Sequence, residues 1–236
     1  MSRFVTNIRK KVVQNDQSDG ISVAILSAGC GSKIKSYEPR SLLKINNEEF
    51  LIDHQLTTIA NFFVKPEIIT VVGCYANKVI KKIKGKCRVV ENQIHEETNA
   101  SESMRLAFNN SSMSSFMFIH GDILFDTNCL DAEYSHSFII TDSKKMIGEN
   151  EIGVTIVDNK ASIMSYGLPI KWAQIAFFTG KELKILNNIF QRFEDKDKKK
   201  LSFEIINDVI SNGGVFHCYE PHKMRIKEID TIKDIE

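Results

Sequence analysis

Apolar and polar positions along this chain alternate between two rhythms. Residues 21–27 (I-S-V-A-I-L-S) form a short, nearly continuous apolar run, the pattern of a strand buried on both faces. Residues 51–63 carry apolar side chains at helical spacing. Residues 67–73 (E-I-I-T-V-V-G) return to a β-branched strand, followed by a helix over 76–83 and a strand over 87–91. A helix over 101–108 then has Asn99 or Ser101 as its cap. Residues 116–120 (F-M-F-I-H) read as a fourth strand, ending in Gly121-Asp122. This β-α-β-α rhythm predicts an α/β fold with a mostly parallel sheet covered by helices.

After Asp122 the texture changes. Residues 137–141, 151–157, 161–164 and 173–179 are strand-like with polar turns between them, and 180–193 and 202–211 read as helices. The charge run 194–200 (E-D-K-D-K-K-K) is expected as a solvated helix end or loop. Residues 215–219 and 225–229 are expected to close the sheet, with a last turn or short helix over 231–236. At the other end, residues 1–20 are polar and basic. Phe4, Ile8 and Val12 lie at helical spacing there, before a linker at N-D-Q-S-D-G.

The 236 residues carry a net charge of +1, which argues against a dedicated nucleic-acid binder. A hydrophobic content of 42% with 26% charged residues fits a globular chain large enough to bury its own core. No apolar stretch approaches a membrane span, and residues 1–20 lack the apolar core of a signal peptide. The five cysteines, Cys30, Cys74, Cys87, Cys129 and Cys218, are odd in number and contain no C-x-x-C pair. Reduced thiols and a cytoplasmic location are therefore expected, with no disulfide framework and no zinc site.

The chemistry concentrates in residues 26–42 (L-S-A-G-C-G-S-K-I-K-S-Y-E-P-R-S-L). A glycine-bearing loop follows the first strand, at the sheet edge where open α/β folds bind ligands. Gly29 and Gly31 would let backbone N–H groups approach an anion, with Leu26, Ala28 and Ser32 around them. Lys33 and Arg40 would add positive charge. The loop lacks the G-K-[ST] ending of a P-loop and the third glycine of the dinucleotide fingerprint, which disfavours ATPase and dehydrogenase chemistry.

L-S-A-G-C-G-S-K followed by P-R-S-L resembles the signature of the nucleotidyltransferase superfamily with a glycosyltransferase-A-like fold. That pattern is L-A-A-G-x-G-[ST]-R, then P-K-x-L, and it includes sugar-1-phosphate nucleotidyltransferases and phosphocholine cytidylyltransferases. Here Ser27 replaces an alanine, Lys33 the usual arginine and Arg40 the usual lysine. F-I-H-G-D (118–122) resembles the family's apolar strand ending in G-D. E-I-D-T (228–231), followed by Asp234, resembles its C-terminal E-I-D-T segment.

The resemblance implies a Rossmann-like three-layer sandwich in a single domain, with a mostly parallel central mixed sheet. A nucleotide-binding half (about 21–125) and an acceptor-binding half (about 126–236) would follow the extension 1–20. It implies Mg2+ held by Asp122 and Asp230, with Glu228 as the fallback ligand. Lys33, Arg40 and Asp122 would be catalytic, and Asn99 and Ser103 would contact base and ribose. Tyr166, Lys171 and Trp172 are acceptor contacts, although the single tryptophan also reads as a buried strand residue.

The implied reaction transfers a nucleoside monophosphate from a nucleoside triphosphate to a phosphorylated small molecule and releases pyrophosphate. A sugar or sugar-like alcohol phosphate is expected ahead of phosphocholine. No nucleic acid or membrane enters this reading, and an oligomer is compatible with it. A nucleotide-sugar glycosyltransferase is the first alternative, but G-D-I-L-F-D (121–126) stands where a D-x-D motif would be. The second alternative is a non-catalytic nucleotide-binding module.

Overall fold

The computed structural model describes residues 20–30, 39–144, 147–229 and 234. Its first strand, β1 (Ser22–Ser27), is buried along its whole length because it lies between two parallel neighbours. These are β2 (Glu67–Val72) and β4 (Phe116–His120), both in register from Ser22. β3 (Arg88–Glu91) extends the parallel run beyond β2.

Helices α1 (Leu51–Phe62), α2 (Ala76–Ile83) and α3 (Ala100–Asn109) connect these strands. The alternation along β1 decides what each face meets. Val23 and Ile25 pack with Ile52, Leu56, Val79 and Ile83 of α1 and α2. Ala24 and Leu26 share the opposite core with Met104 and Ala107 of α3. The later helices α4 (Gly180–Gln191) and α5 (Ser202–Ser211) bury Leu186, Phe190 and Val209 in that second core. Helices on both faces of one sheet give the expected three layers.

The second half departs from the parallel pattern. It contains β5 (Ile123–Phe125), β6 (Phe138–Asp142), β7 (Ile152–Val157), β8 (Lys160–Tyr166), β9 (Ile170–Phe178), β10 (His217–Tyr219) and β11 (Ile226–Glu228). The sheet order is β3-β2-β1-β4-β9-β6-β10-β8-β7, and a further β9–β7 pairing closes the last five strands into a ring. β9 runs antiparallel to β4, β6 and β7, and β7 antiparallel to β8. The sheet is thus mixed, and the expectation of a mostly parallel one holds only for β3-β2-β1-β4 and the β6–β10 pair. The physical reason lies in the connections. β7 and β8 are joined by Asp158-Asn159, both at positive φ, a two-residue hairpin that enforces antiparallel pairing.

β9 changes partner at Gln174, which sits at φ 60. Ile170 and Lys171 pair with β7, whereas residues 175–178 pair with β4. A register irregularity between Ile139 and Thr141 on β6 accompanies the bend. β11 does not close the main sheet as expected. It forms a separate antiparallel pair with β5, a strand too short to stand out in the hydrophobic pattern.

The charge run is more than a solvated loop. It contains a 3-10 turn at Asp197–Lys199, and the Lys198 and Lys200 carbonyls accept N–H bonds from Asn99 and Ser101 at the start of α3.

Cys30 and Cys74 form a disulfide with a Cα–Cα distance of 5.1 Å, which corrects the expectation of reduced thiols throughout. They lie 44 positions apart, but each follows a parallel neighbour that ends at the same sheet edge. Cys87, Cys129 and Cys218 are free. Among the described residues no helix is long and apolar enough to cross a membrane. The helix expected over the first residues and the final turn lie outside the described residues, Asp234 excepted.

Candidate active site

The C-terminal ends of β1 and β4 open onto a cleft. Leu26, Ala28, Gly29, Arg40, Asn99, Ser103 and Asp122 all line it, so seven of the sequence-predicted site residues meet there. Gly121 makes the convergence close. A Cβ at this position would lie 2.7 Å from the Leu26 carbonyl oxygen and 2.9 Å from the Ser27 Cα. The Gly121 N–H instead donates to that carbonyl at 2.8 Å, which sets Asp122 directly beside the glycine loop.

Arg40 enters from a 3-10 turn (Arg40–Leu42) that follows Pro39 and is anchored by the buried Ser41 and Leu42. Its Nη1 donates to Asp122 Oδ2 at 2.5 Å. Asp122 Oδ1 is buried with no hydrogen-bond partner among the described residues. A hard carboxylate oxygen left without a donor fits Mg2+, which prefers such ligands. Ile229 N–H donates to the Asp122 carbonyl at 2.8 Å, which brings the chain back to this point. Gly31, Ser32, Lys33 and Asp230 lie outside the described residues.

The facing wall comes from the turn after β3. Asn92 is buried and held by its N–H to the Val72 carbonyl at 2.8 Å. Its Nδ2 donates to Thr98 Oγ1 at 3.0 Å and Ser103 Oγ at 3.4 Å, while its Oδ1 has no partner among the described residues. Asn99 occupies the N-cap position of α3 without a side-chain cap bond. Its amide donates to the Lys199 carbonyl at 2.6 Å instead.

Ser41, Asn92, His95, Thr98 and His120 also line the cleft and were missed from sequence. For Asn92 and His95, the available signal was their place just past the C-terminal end of a parallel strand.

A second cleft adjoins the first at His120 and gathers the three predicted acceptor contacts, Tyr166, Lys171 and Trp172. Glu151, Gln174 and Glu228 line it as well. Lys171 is paired with Glu151, and Gln174 Nε2 donates to Glu228 Oε2 at 2.8 Å. Trp172 is only 2% exposed, and its indole N–H donates to the Ile175 carbonyl at 3.1 Å. Its ring meets Phe118 and His120 edge-on, so it presents a wall rather than an open stacking face. Tyr166 is 52% exposed and rests against Phe203.

His120 stands between the clefts, with its Nε2 2.7 Å from Ser202 Oγ. Burial holds its pKa below the ordinary histidine value, against the opposing pull of the Asp122 charge.

No family model and no curated protein sequence matches the chain. Solved structures match it in fold, and the fold is that of nucleotidyltransferases. One is the inositol-1-phosphate CTP transferase from T. maritima, at TM-score 0.73 and 16% identity, with 90% of each chain covered. Another is the CTP:phosphocholine cytidylyltransferase from Streptococcus pneumoniae, at TM-score 0.74 and 18% identity, covering 91% of this chain and 96% of that one. A UDP-glucose pyrophosphorylase complexed with UDP-glucose matches at TM-score 0.66 and 12% identity, over 92% and 95% of the two chains.

Proposed function

We propose that the chain is a magnesium-dependent nucleotidyltransferase that joins a nucleoside monophosphate to a phosphorylated sugar or polyol. The observation that carries this reading is the meeting of Ala28, Gly29, Arg40, Asp122, Asn99 and Ser103 around one cleft, with a second polar cleft adjoining it. Its agreement with the fold of solved nucleotidyltransferases supports it further.

The triphosphate would lie in the first cleft, where N–H groups of the loop and the Arg40 guanidinium meet its charge. The Arg40 guanidinium, held beside Asp122, would bring its positive charge to the phosphate oxygens. Asn92 and Ser103 would meet the base and ribose side. Mg2+ on Asp122, and on Asp230 by resemblance, would neutralise charge on the phosphate oxygens.

The acceptor's phosphate oxygen attacks the α-phosphorus and pyrophosphate leaves in line. That nucleophile is already an anion near neutral pH, so no general base is required. The protein contributes alignment and charge stabilisation.

The second cleft favours a polyol over a quaternary ammonium. It is lined by the polar groups of Glu151, Gln174 and Glu228, whereas an aromatic cage needs open ring faces. Trp172 is buried, and Tyr166 is the one exposed ring there among the described residues.

The test is pyrophosphate release with Mg2+, using ATP, CTP, GTP, UTP and dTTP crossed with sugar 1-phosphates, polyol phosphates and phosphocholine. Release with one nucleotide and a sugar or polyol phosphate is expected. Nucleotide binding with no release across the panel would replace this reading with a regulatory module. Sugar transfer from a nucleotide-sugar would replace it with a glycosyltransferase.

A further inference from the structure

We propose that Cys30 and Cys74 form a reversible dithiol–disulfide site, served by low-molecular-weight thiols and disulfides, whose oxidation weakens nucleotide binding. The coupling to nucleotide rests on the functional reading above. The thiol chemistry does not.

The position of the pair carries the inference. Cys30 is the residue between Gly29 and Gly31, inside the loop read as the phosphate cradle. Cys74 follows Gly73 at the exit of β2, and its N–H donates to the Ala28 carbonyl at 2.9 Å. The loop is therefore tied to β2 by a backbone bond at Ala28 and, when oxidised, by a covalent bond two residues on.

His95, which lines the nucleotide cleft, completes the cluster. Its imidazole nitrogen and the two sulfurs lie within 4.8 Å of one another. Gly73 permits this approach, since a Cβ there would lie 2.7 Å from the His95 Cβ and from the Ala28 carbonyl oxygen.

Exposure sets the order of events. Cys30 is exposed and Cys74 is buried, so a small disulfide reaches Cys30 first. The Cys30 thiolate attacks one sulfur of that disulfide, forming a mixed disulfide and releasing one thiolate. The Cys74 thiolate then attacks the Cys30 sulfur, closing the internal bond and releasing the second thiolate. The two protons of the protein thiols end on the two released thiolates, and His95 is placed to carry one in passing. Two protein thiols are oxidised and one small disulfide is reduced to two thiols.

Of the three other cysteines, the two buried ones are poor competitors. Cys129 and Cys218 are buried, and that burial pushes both thiols up to about 12.

Oxidation fixes Cys30 against the β2 exit, so the Gly29 and Cys30 amides lose the freedom to adjust to a triphosphate. Losing one such charge-assisted hydrogen bond would weaken binding about tenfold.

The test equilibrates the full chain in glutathione buffers of set ratio, traps thiols by alkylation and maps the peptides by mass spectrometry. A Cys30–Cys74 bond that forms and is lost reversibly is expected, with Cys129 and Cys218 remaining thiols. Triphosphate affinity with Mg2+ is then measured on both forms and on Cys74→Ser. The oxidised form should bind about tenfold more weakly, and the variant should match the reduced protein in the reducing buffer while holding one glutathione on Cys30 in the oxidising one. Free thiols at both positions in oxidised glutathione, or equal affinity in the two forms, would overturn the proposal. A reduced chain that binds no triphosphate would remove the nucleotide reading, and the peptide map would then decide the thiol site by itself.

Discussion

Gly121→Ala should loosen the junction on which the candidate site rests. The added Cβ would lie 2.7 Å from the Leu26 carbonyl oxygen and 2.9 Å from the Ser27 Cα, both backbone atoms of a strand buried on every side. Relief requires the ends of β1 and β4 to separate by several tenths of an ångström. The 2.8 Å bond from the Gly121 N–H to Leu26 stretches with them. Overpacking costs about 1–3 kcal/mol and a weakened hydrogen bond adds about 1, for a total near 2–4 kcal/mol. A domain with about 5–15 kcal/mol of stability would stay folded. Urea unfolding followed by Trp172, the single tryptophan, reads this as a lower midpoint with an unchanged slope. Asp122 is the next residue, so turnover should fall as well. A loss below about 1 kcal/mol would refute the claim that close backbone contact sets the position of Asp122.

Gly29→Ala is the complementary case: its Cβ meets nothing within 4 Å among the described residues, so stability should stay within about 0.5 kcal/mol while calorimetry shows weaker triphosphate binding. Asp122→Asn should abolish pyrophosphate release, and the loss of the acceptor's charge opposite Arg40 should cost about 1 kcal/mol by urea unfolding. Retained turnover would remove Asp122 from the catalytic set. His120 has its pKa lowered by burial, so the unfolded chain binds its proton more readily than the folded one. Its contribution to stability is present above the ordinary histidine value of about 6.5 and declines as pH falls from there, by at most about 1.4 kcal/mol per pH unit. His120→Gln should lack that share when unfolding is measured at pH 7.5, 6.5 and 5.5, and equal slopes would count against it.

Most of the secondary structure was legible because the signals are local. The apolar run of β1, the helical spacing of α1 and the strand ending in Gly121-Asp122 each lie within a few residues of their cause. β5 escaped because a strand of three residues is too short to show a period. Asn92 and His95 escaped because an irregular turn carries no period at all.

By itself, the amino-acid sequence determined the alternating elements of the first half, the glycine loop and the order in which loop, Arg40, Asp122 and the E-I-D-T segment occur. These follow from side-chain periodicity and from backbone freedom at glycine. Tertiary structure decided what lies far apart in the chain but adjacent in space. The Asp158-Asn159 hairpin and the bend at Gln174 turned the second half antiparallel and closed its five-stranded ring. The common exit edge of β1 and β2 brought Cys30 to Cys74 across 44 positions. The close contact at Gly121 set Asp122 against Arg40, and the indole of Trp172 went to the core. Strand partnership and burial depend on the whole chain at once, so no local pattern records them.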